Sequence, residues 1–328
     1  LIIIDLDYTD FSQFLNYLSG KLNAEIKNNR LELPDSFGKG YLELIELPNG
    51  LQALVSSMEY HQDVLYSRKH KDDYYFVLHF NDMQLSGAIN FTMQGKELRD
   101  ENQYRAGAAL TSSLFEMSYT VKAGSIAKSI NVLLKKDWLA TYLDHGDVMK
   151  MLANYIMLKN TLIHPEPFDA EYRMLFDEIF DFNNTAPLQS MMVKNRIMLL
   201  LERFLSKLYR NIVNLTPEKQ GKIKTADLGK LMEIEALLVK DFSQAPPTIA
   251  MLAEKAGMSI SKLKSVFKKV YGTGIYEYYQ KNRMQKARSM LLTDQSTVKE
   301  VGLQLGYTNL SNFSLAFKKE FGVLPSQL

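Results

Sequence analysis

Over much of the first 134 residues apolar and polar positions alternate with a period of two, and after that the spacing becomes helical. "YLELIEL" (41–47) and "LQALVSSMEY" (51–60) flank Pro48-Asn49-Gly50, so two alternating runs around an Asn-Gly pair predict a β-hairpin. "YYFVLHF" (74–80), "LSGAINFTM" (85–93), "LTSSLFEMSYTV" (110–121) and "SIAKSINVLL" (125–134) continue the pattern. Short, closely spaced strands of this kind predict a small barrel or sandwich. A short helix is expected before them, from Asp10 through "FSQFLNYLSGKL".

Beyond Lys135 the helical period takes over. Asp169 is placed to cap "AEYRMLFDEIF", and Thr185-Ala186-Pro187 sets a cap and a first-turn proline for a long helix to about Val213. Met191, Ile197, Leu200, Leu201, Phe204 and Leu208 recur in it near helical spacing. Met191, Met198 and Leu205 add apolar surface, which predicts a homodimer contact over about 188–213 or, alternatively, packing on the sheet domain. The polar stretch 216–225, "TPEKQGKIKT", is the expected linker. The expected organisation is a β domain at 1–135, a helical segment at 136–224 and an all-helical domain at 225–328, an α+β chain.

The helical end contains a repeat. A shift of forty-nine residues places Ile249 on Val298, Leu252 on Val301, Ala253 on Gly302, Ala256 on Leu305 and Gly257 on Gly306. One inserted residue later, Phe267 falls on Phe317 and Lys268-Lys269 on Lys318-Lys319. Each copy is a short amphipathic helix, a glycine suited to a left-handed helix end, a Ser or Thr (Ser259, Thr308) and a second amphipathic helix. Leu263 with Phe267, and Phe313 with Phe317, lie four apart and face inward. Such a unit is a helix-turn-helix, whose second helix can enter a DNA major groove, or a generic helical hairpin. Two copies favour the first reading, because the helix expected from Ile275 to Leu292 spans roughly 27 Å at 1.5 Å per residue. That length can hold two recognition helices one turn of duplex, about 34 Å, apart.

Charge agrees with this division. Net charge is only +2, yet residues 246–328 hold twelve Lys and Arg against five Asp and Glu, leaving the remainder acidic. A basic tail on an acidic body points to nucleic acid or an anionic membrane surface. The chain has no cysteine, which excludes disulfides and thiolate metal sites and fits a reducing compartment. No stretch approaches eighteen uninterrupted apolar residues, and "LIIIDLDY" lacks the basic start and cleavage site of a signal peptide, so a cytoplasmic location is expected.

Residues 233–328 resemble the DNA-binding domain of AraC/XylS-type transcription regulators. The matching segments are "IAMLAEKAGMSISKLKSVFKKVYG", "YYQKNRMQKARSML" and "VKEVGLQLGYTNLSNFSLAFKKEFGVLPSQ", with Gly302 standing where Ala is usual. "GYLELIELPNGLQALVSSMEYHQDVLYS" and "YYFVLHFNDMQLSGAI" are similar to the cupin-like sensor domain of the branch that includes siderophore-responsive regulators. That motif is short and largely apolar and implies no siderophore ligand. The resemblance implies a double helix-turn-helix that binds double-stranded DNA, and a cupin-like β-barrel or sandwich that binds an unidentified small-molecule effector. By position in the motif, Ile260, Ser261, Lys262, Lys264 and Ser265 start the first recognition helix, and Leu310, Ser311, Asn312, Ser314 and Leu315 the second. Lys and Asn can bond base edges, and Leu310 can pack on a thymine methyl. Lys268, Lys269, Lys318 and Lys319 lie past the base-reading turn and suit phosphate.

Other chemistry finds less support, and neither a metal, a cofactor nor an enzymatic activity is expected. "IIIDLDYT" (2–9) imitates the Asp-x-Asp-x-Thr nucleophile motif of haloacid-dehalogenase phosphatases through Asp5 and Asp7, but Tyr8 replaces the usual glycine and no βα alternation follows. His61, His70 and His79 recur every nine residues, which alternates faces along strands rather than building a metal site. Tyr74, Tyr75, Phe76, Phe80, Phe91, Tyr104, Phe115 and Tyr119 line a ligand pocket or fill the core of the β domain. The competing class is a non-regulatory ligand-binding or enzymatic β domain with a helical tail.

Overall fold

The computed structural model describes residues 1–70, 75–93, 96–142, 166–181, 188–213, 225–271, 273–293 and 296–328. The cap expected at 185–187, most of the expected linker and Tyr74 lie outside these. The chain divides into two compact units, Leu1–Glu166 with Leu201–Gly221, and Pro167–Leu200 with Lys222–Leu328.

The first unit is a β-sandwich. Its strands are β1 (Ile2–Asp5), β2 (Ile26–Lys27), β3 (Arg30–Glu32), β4 (Gly38–Glu46), β5 (Gln52–Tyr60), β6 (Val64–Arg68), β7 (Phe76–Gln84), β8 (Ile89–Met93), β9 (Lys96–Asp100), β10 (Tyr104–Ser112), β11 (Met117–Val121), β12 (Ile126–Leu134) and β13 (Glu166–Pro167). They form a five-stranded sheet, β1-β6-β11-β8-β9, and an eight-stranded sheet, β13-β10-β7-β12-β5-β4-β3-β2. Each sheet keeps two edges, so the architecture is a sandwich rather than a closed barrel. Ile4, Val64 and Phe91 of one sheet share a buried cluster with Leu42, Leu54 and Val77 of the other.

Local chemistry explains the elements. The predicted hairpin is β4–β5, with Glu46 opposite Gln52, and Asn49 (φ 61°) and Gly50 (φ 72°) supply the left-handed pair that matches strand twist. Helix α1 (Phe11–Leu22) is capped by Asp10, whose carboxylate accepts the Gln13 N–H at 2.8 Å, and it buries Phe11, Phe14, Leu15 and Leu18. The run 110–121 is two strands in different sheets rather than one. Ser112 makes the corner: its carbonyl accepts the Phe115 N–H at 3.2 Å and its Oγ the Leu114 N–H at 3.2 Å.

Helix α2 (Lys136–Tyr142) closes this part of the chain, and α3 (Ala170–Asp181) and α4 (Gln189–Val213) follow. Asp169 caps α3, accepting the Tyr172 N–H at 3.0 Å. In α4, Ile197, Leu200, Leu201, Phe204 and Leu208 are buried, Met191 is exposed, and Met198 and Leu205 are half-buried.

The second unit is helical: α3, the start of α4, α5 (Thr225–Val239), α6 (Ile249–Ala256), α7 (Ile260–Tyr271), α8 (Ile275–Thr293), α9 (Val298–Gln304) and α10 (Leu310–Phe321). Two cores hold it. Leu231, Ile234, Leu252, Leu263 and Phe267 pack with Ile275, Tyr278 and Tyr279 of α8, while Val301, Leu305, Phe313 and Phe317 pack with Met284 and Ala287 of the same helix. Within the first core Glu235 is 1% exposed and takes Arg173 Nη2 at 3.1 Å and the Tyr278 hydroxyl at 3.0 Å. This pairing answers the cost of burying the charge.

Candidate nucleic-acid interface

Each repeat forms a helix, a sharp turn and a second helix, and the turns follow from their residues. Thr248 Oγ1 caps α6, accepting the Met251 N–H at 3.3 Å. Gly257 ends it in the left-handed region (φ 59°), which lets Met258 N–H reach the Ala253 carbonyl at 2.9 Å. Ser259 Oγ then accepts the Lys262 N–H at 3.2 Å and opens α7. The second copy repeats the plan with firmer caps. Thr297 and Glu300 form a reciprocal capping box on α9, and Asn309 Oδ1 accepts the Ser311 N–H at 2.9 Å to open α10.

The glycines differ in what surrounds them. A β-carbon on Gly302 would lie 2.7 Å from Leu310 Cδ2 and 3.2 Å from Phe313 Cδ1, so this small residue admits α10 against α9. Gly306 (φ 75°) lies against the backbone carbonyl of Ser243, whereas a β-carbon on Gly257 would meet the end of the Lys230 side chain at 3.2 Å.

With Leu263, Phe267, Phe313 and Phe317 buried inward, the opposite faces turn outward. Ile260, Ser261, Lys262, Lys264, Ser265, Lys268 and Lys269 are exposed on α7; on α10 Ser311, Asn312, Leu315, Lys318 and Lys319 are exposed, with Leu310 and Ser314 intermediate. Hence the first strip is cationic from its first turn, and the second is neutral until Lys318. Lys262 is held by Asp227 of α5, Nζ to Oδ1 2.9 Å.

Arg283 was not marked by its sequence context. Its Nε donates to the Leu305 carbonyl at 2.9 Å, Nη2 bonds the same oxygen, and the guanidinium lies 4.0 Å from the centre of the Tyr307 ring. It ties α8 to the second turn through the carbonyl of Leu305, the residue that ends α9.

The other candidates belong to the first unit. Asp7 Oδ1 accepts the Lys69 N–H at 3.1 Å, and Asp5 Oδ2 accepts the Tyr17 hydroxyl at 3.4 Å. His61 bonds the Asp35 carbonyl and His70 the Leu114 carbonyl, while His79 lies between Asn131 and Thr111. Of the aromatic set, Phe91 and Tyr119 line the cavity inside the sandwich, joined by Tyr8, Phe14, Phe37, Tyr60 and Tyr66, whereas Tyr75, Phe76, Phe80 and Phe115 are buried.

Residues 252–328 match the model of a helix-turn-helix domain family. Similar curated proteins include the HTH-type transcriptional regulator AlkR of Acinetobacter baylyi, 30% identical over 84 residues, covering 26% of this chain and 28% of that protein. The regulatory protein PchR of Pseudomonas aeruginosa is 32% identical over 82 residues, 25% of this chain and 27% of that protein. The chain thus spans little more than a quarter of the length of the curated relatives it matches. Among solved structures, a transcriptional regulator from Chromobacterium violaceum described as having an AraC-type DNA-binding domain is similar at 25% identity, over 32% of this chain and 92% of that one, with a TM-score of 0.29. ToxT of Vibrio cholerae aligns over 84% of this chain and 97% of that one at 15% identity and a TM-score of 0.31.

Proposed function

We propose, from the premise that the C-terminal end of this chain belongs to the AraC-type helix-turn-helix family, that the protein is a sequence-specific DNA-binding transcription regulator and not an enzyme. The observation that carries the reading is the pair of capped turns presenting two outward strips, at 260–265 and 310–315, from one helical unit. In this reading α7 and α10 enter consecutive major grooves. Lys262 and Lys264 with Asn312 contact base edges, Leu310 meets a thymine methyl, and Lys268, Lys269, Lys318 and Lys319 neutralise phosphates.

The sandwich supplies the response. It binds a small-molecule effector, and the effector shifts the DNA-competent population because its affinity differs between the two states. Homodimerisation over 188–213 belongs to the same proposal, supported by the exposure of Leu188, Met191 and Leu199. Among the described residues no helix is long and apolar enough to cross a membrane, and a DNA target implies work in the cytoplasm. Selection from random duplexes by the purified full chain, followed by sequencing, tests the reading. The expected product is a bipartite site with half-sites roughly 10 bp apart. Recovery of no enriched sequence at low salt would overturn it.

A further inference from the structure

Inside the sandwich, between the two sheets and α1, lies a cavity of about 130 Å³. Its walls are mostly apolar, from Leu18, Phe14, Leu42, Leu54 and Phe91, but one side carries charge. Arg68, the last residue of β6, lines it and is 3% exposed. Its Nη1 donates to Thr111 Oγ1 at 3.2 Å and its Nη2 to the Ser112 carbonyl at 2.7 Å. Buried Nε bonds nothing among the described residues. No carboxylate among them lies within ion-pair distance.

The groups around Arg68 do not neutralise it. Asp7, the carboxylate whose field reaches it, is exposed and bonds the Lys69 amide. Tyr8, Tyr75 and Tyr119 also act on it, and burial raises each phenol so that all three stay protonated. His79 donates through Nδ1 to Asn131 Oδ1 (2.6 Å) and accepts the Thr111 hydroxyl at Nε2 (2.9 Å), which leaves that hydroxyl oxygen to take the Arg68 bond. Burial pushes His79 down to about 4, so its imidazole is neutral. The second arginine in the wall, Arg105, is balanced by Asp100 at 3.3 Å. Among the described residues, one positive charge is left over.

A buried guanidinium without a counter-ion is costly, and folding alone gives no reason to keep it. Replacing it by an apolar residue would relieve that cost, so its presence is explained by something it binds. An anion that brings one negative charge and a planar pair of oxygens suits the fork of donors. The hydroxyls of Tyr8 and Tyr119, which line the same cavity and make no hydrogen bond among the described residues, are further donors for it. The apolar remainder of the wall requires an apolar body. The volume limits that body to a compact one, since an apolar cavity of roughly 150 Å³ holds benzene.

We propose that this cavity binds a small organic monocarboxylate with a compact apolar body, and that Arg68 is its counter-ion. The inference rests on the reading that the sandwich takes an effector, and it names the effector's class.

The test is calorimetric titration of the full chain with benzoate, phenylacetate and hexanoate, each against its own amide. The expected result is that at least one acid binds at least about tenfold more tightly than its amide, the low end for a hydrogen-bonded buried charge. Arg68→Met should remove that preference, and Arg68→Lys should keep part of it. Benzoate should also raise the thermal midpoint of the wild type and not of a folded Arg68→Met chain. Acids and amides that bind alike, or no acid binding at about 10 mM, would overturn the proposal. The acid–amide comparison uses the wild type, so it stands even where a variant fails to fold. Duplex selection is scored separately: a chain that selects DNA but ignores every acid loses the carboxylate and keeps the regulator.

Discussion

The two helix-turn-helix copies share a plan and differ in what supports and charges them. The first rests on α5 and α3 as well as α8, and its recognition helix carries Lys262, Lys264, Lys268 and Lys269. The second has α8 as its main support, with Phe242 at its margin, and relies on tighter fastenings: the Thr297–Glu300 box, the Arg283 clamp and two close-packed glycines. Its helix α10 offers Ser311, Asn312 and Leu315 to solvent before any cation. The difference teaches a division of labour. In the proposed reading, cationic α7 supplies affinity and the neutral first turns of α10 read shape and base edges, where a firm mounting counts more than charge.

The largest effect expected from this comparison comes from one substitution made at matching places. Gly306→Ala puts a methyl against the Ser243 carbonyl at a positive φ, and should cost on the order of 3 kcal/mol in urea unfolding. Gly257→Ala meets only a mobile lysine end, and should cost about 1–2 kcal/mol from the left-handed backbone alone. Equal losses would show that the second turn is no more tightly held than the first.

Next in size is DNA affinity. Lys262→Ala should weaken binding about tenfold at moderate salt, and Asn312→Ala less, while relaxing the preference at a single base position. Fluorescence anisotropy on the selected duplex separates the two. The division fails if Lys262→Ala leaves both affinity and preferred sequence unchanged.

A smaller effect concerns salt. Changing Lys268 and Lys269 to Gln should reduce the slope of log affinity against log salt by about 1.8, at about 0.9 per phosphate contact, with the preferred sequence intact. The same change at Lys318 and Lys319 shows whether the second copy shares the phosphate work. The smallest contrast is in the caps: Thr297→Ala, which breaks a reciprocal pair, should cost about 1 kcal/mol, and Thr248→Ala about half of that.

The helical unit was more legible in the sequence than the sandwich, for a physical reason. Helix ends and turns are local, so Gly257, Ser259, Gly306 and Phe267 declare themselves within a few residues, and a repeat doubles the signal. Sheet neighbours are not local. β1 pairs in parallel with β6, sixty-two residues on, and no alternation announces it. The corner at Ser112 falls where alternation lapses, at Thr111-Ser112-Ser113 and Leu114-Phe115, a break too short to show by itself that the chain changes sheets. Arg68 was equally hidden. Within "VLYSR" it looks like a strand-end cation destined for water, and only the arrangement of both sheets turns it inward. The aromatic set was informative at two positions: Phe91 and Tyr119 reach the cavity, but Tyr8 and Phe14 come from a segment whose phosphatase-like motif found little support and from the short helix expected before the strands.

Helix α8 lends Tyr278 and Tyr279 to one core and Met284 and Ala287 to the other. Its length is therefore counted in residues and cannot drift. Inserting a single residue between Tyr279 and Met284 would turn everything after it by about 100° and swing both apolar side chains out of the second core. Inserting a whole turn would restore the face but push the second copy about 5.4 Å along the axis, a step that matches no whole number of base-pair rises of about 3.4 Å. In the proposed reading, insertions and deletions in Ile275–Thr293 are thus filtered twice, by packing and by the pitch of the duplex. A chain that reads DNA in this way would change which bases it prefers far more easily than the interval between them.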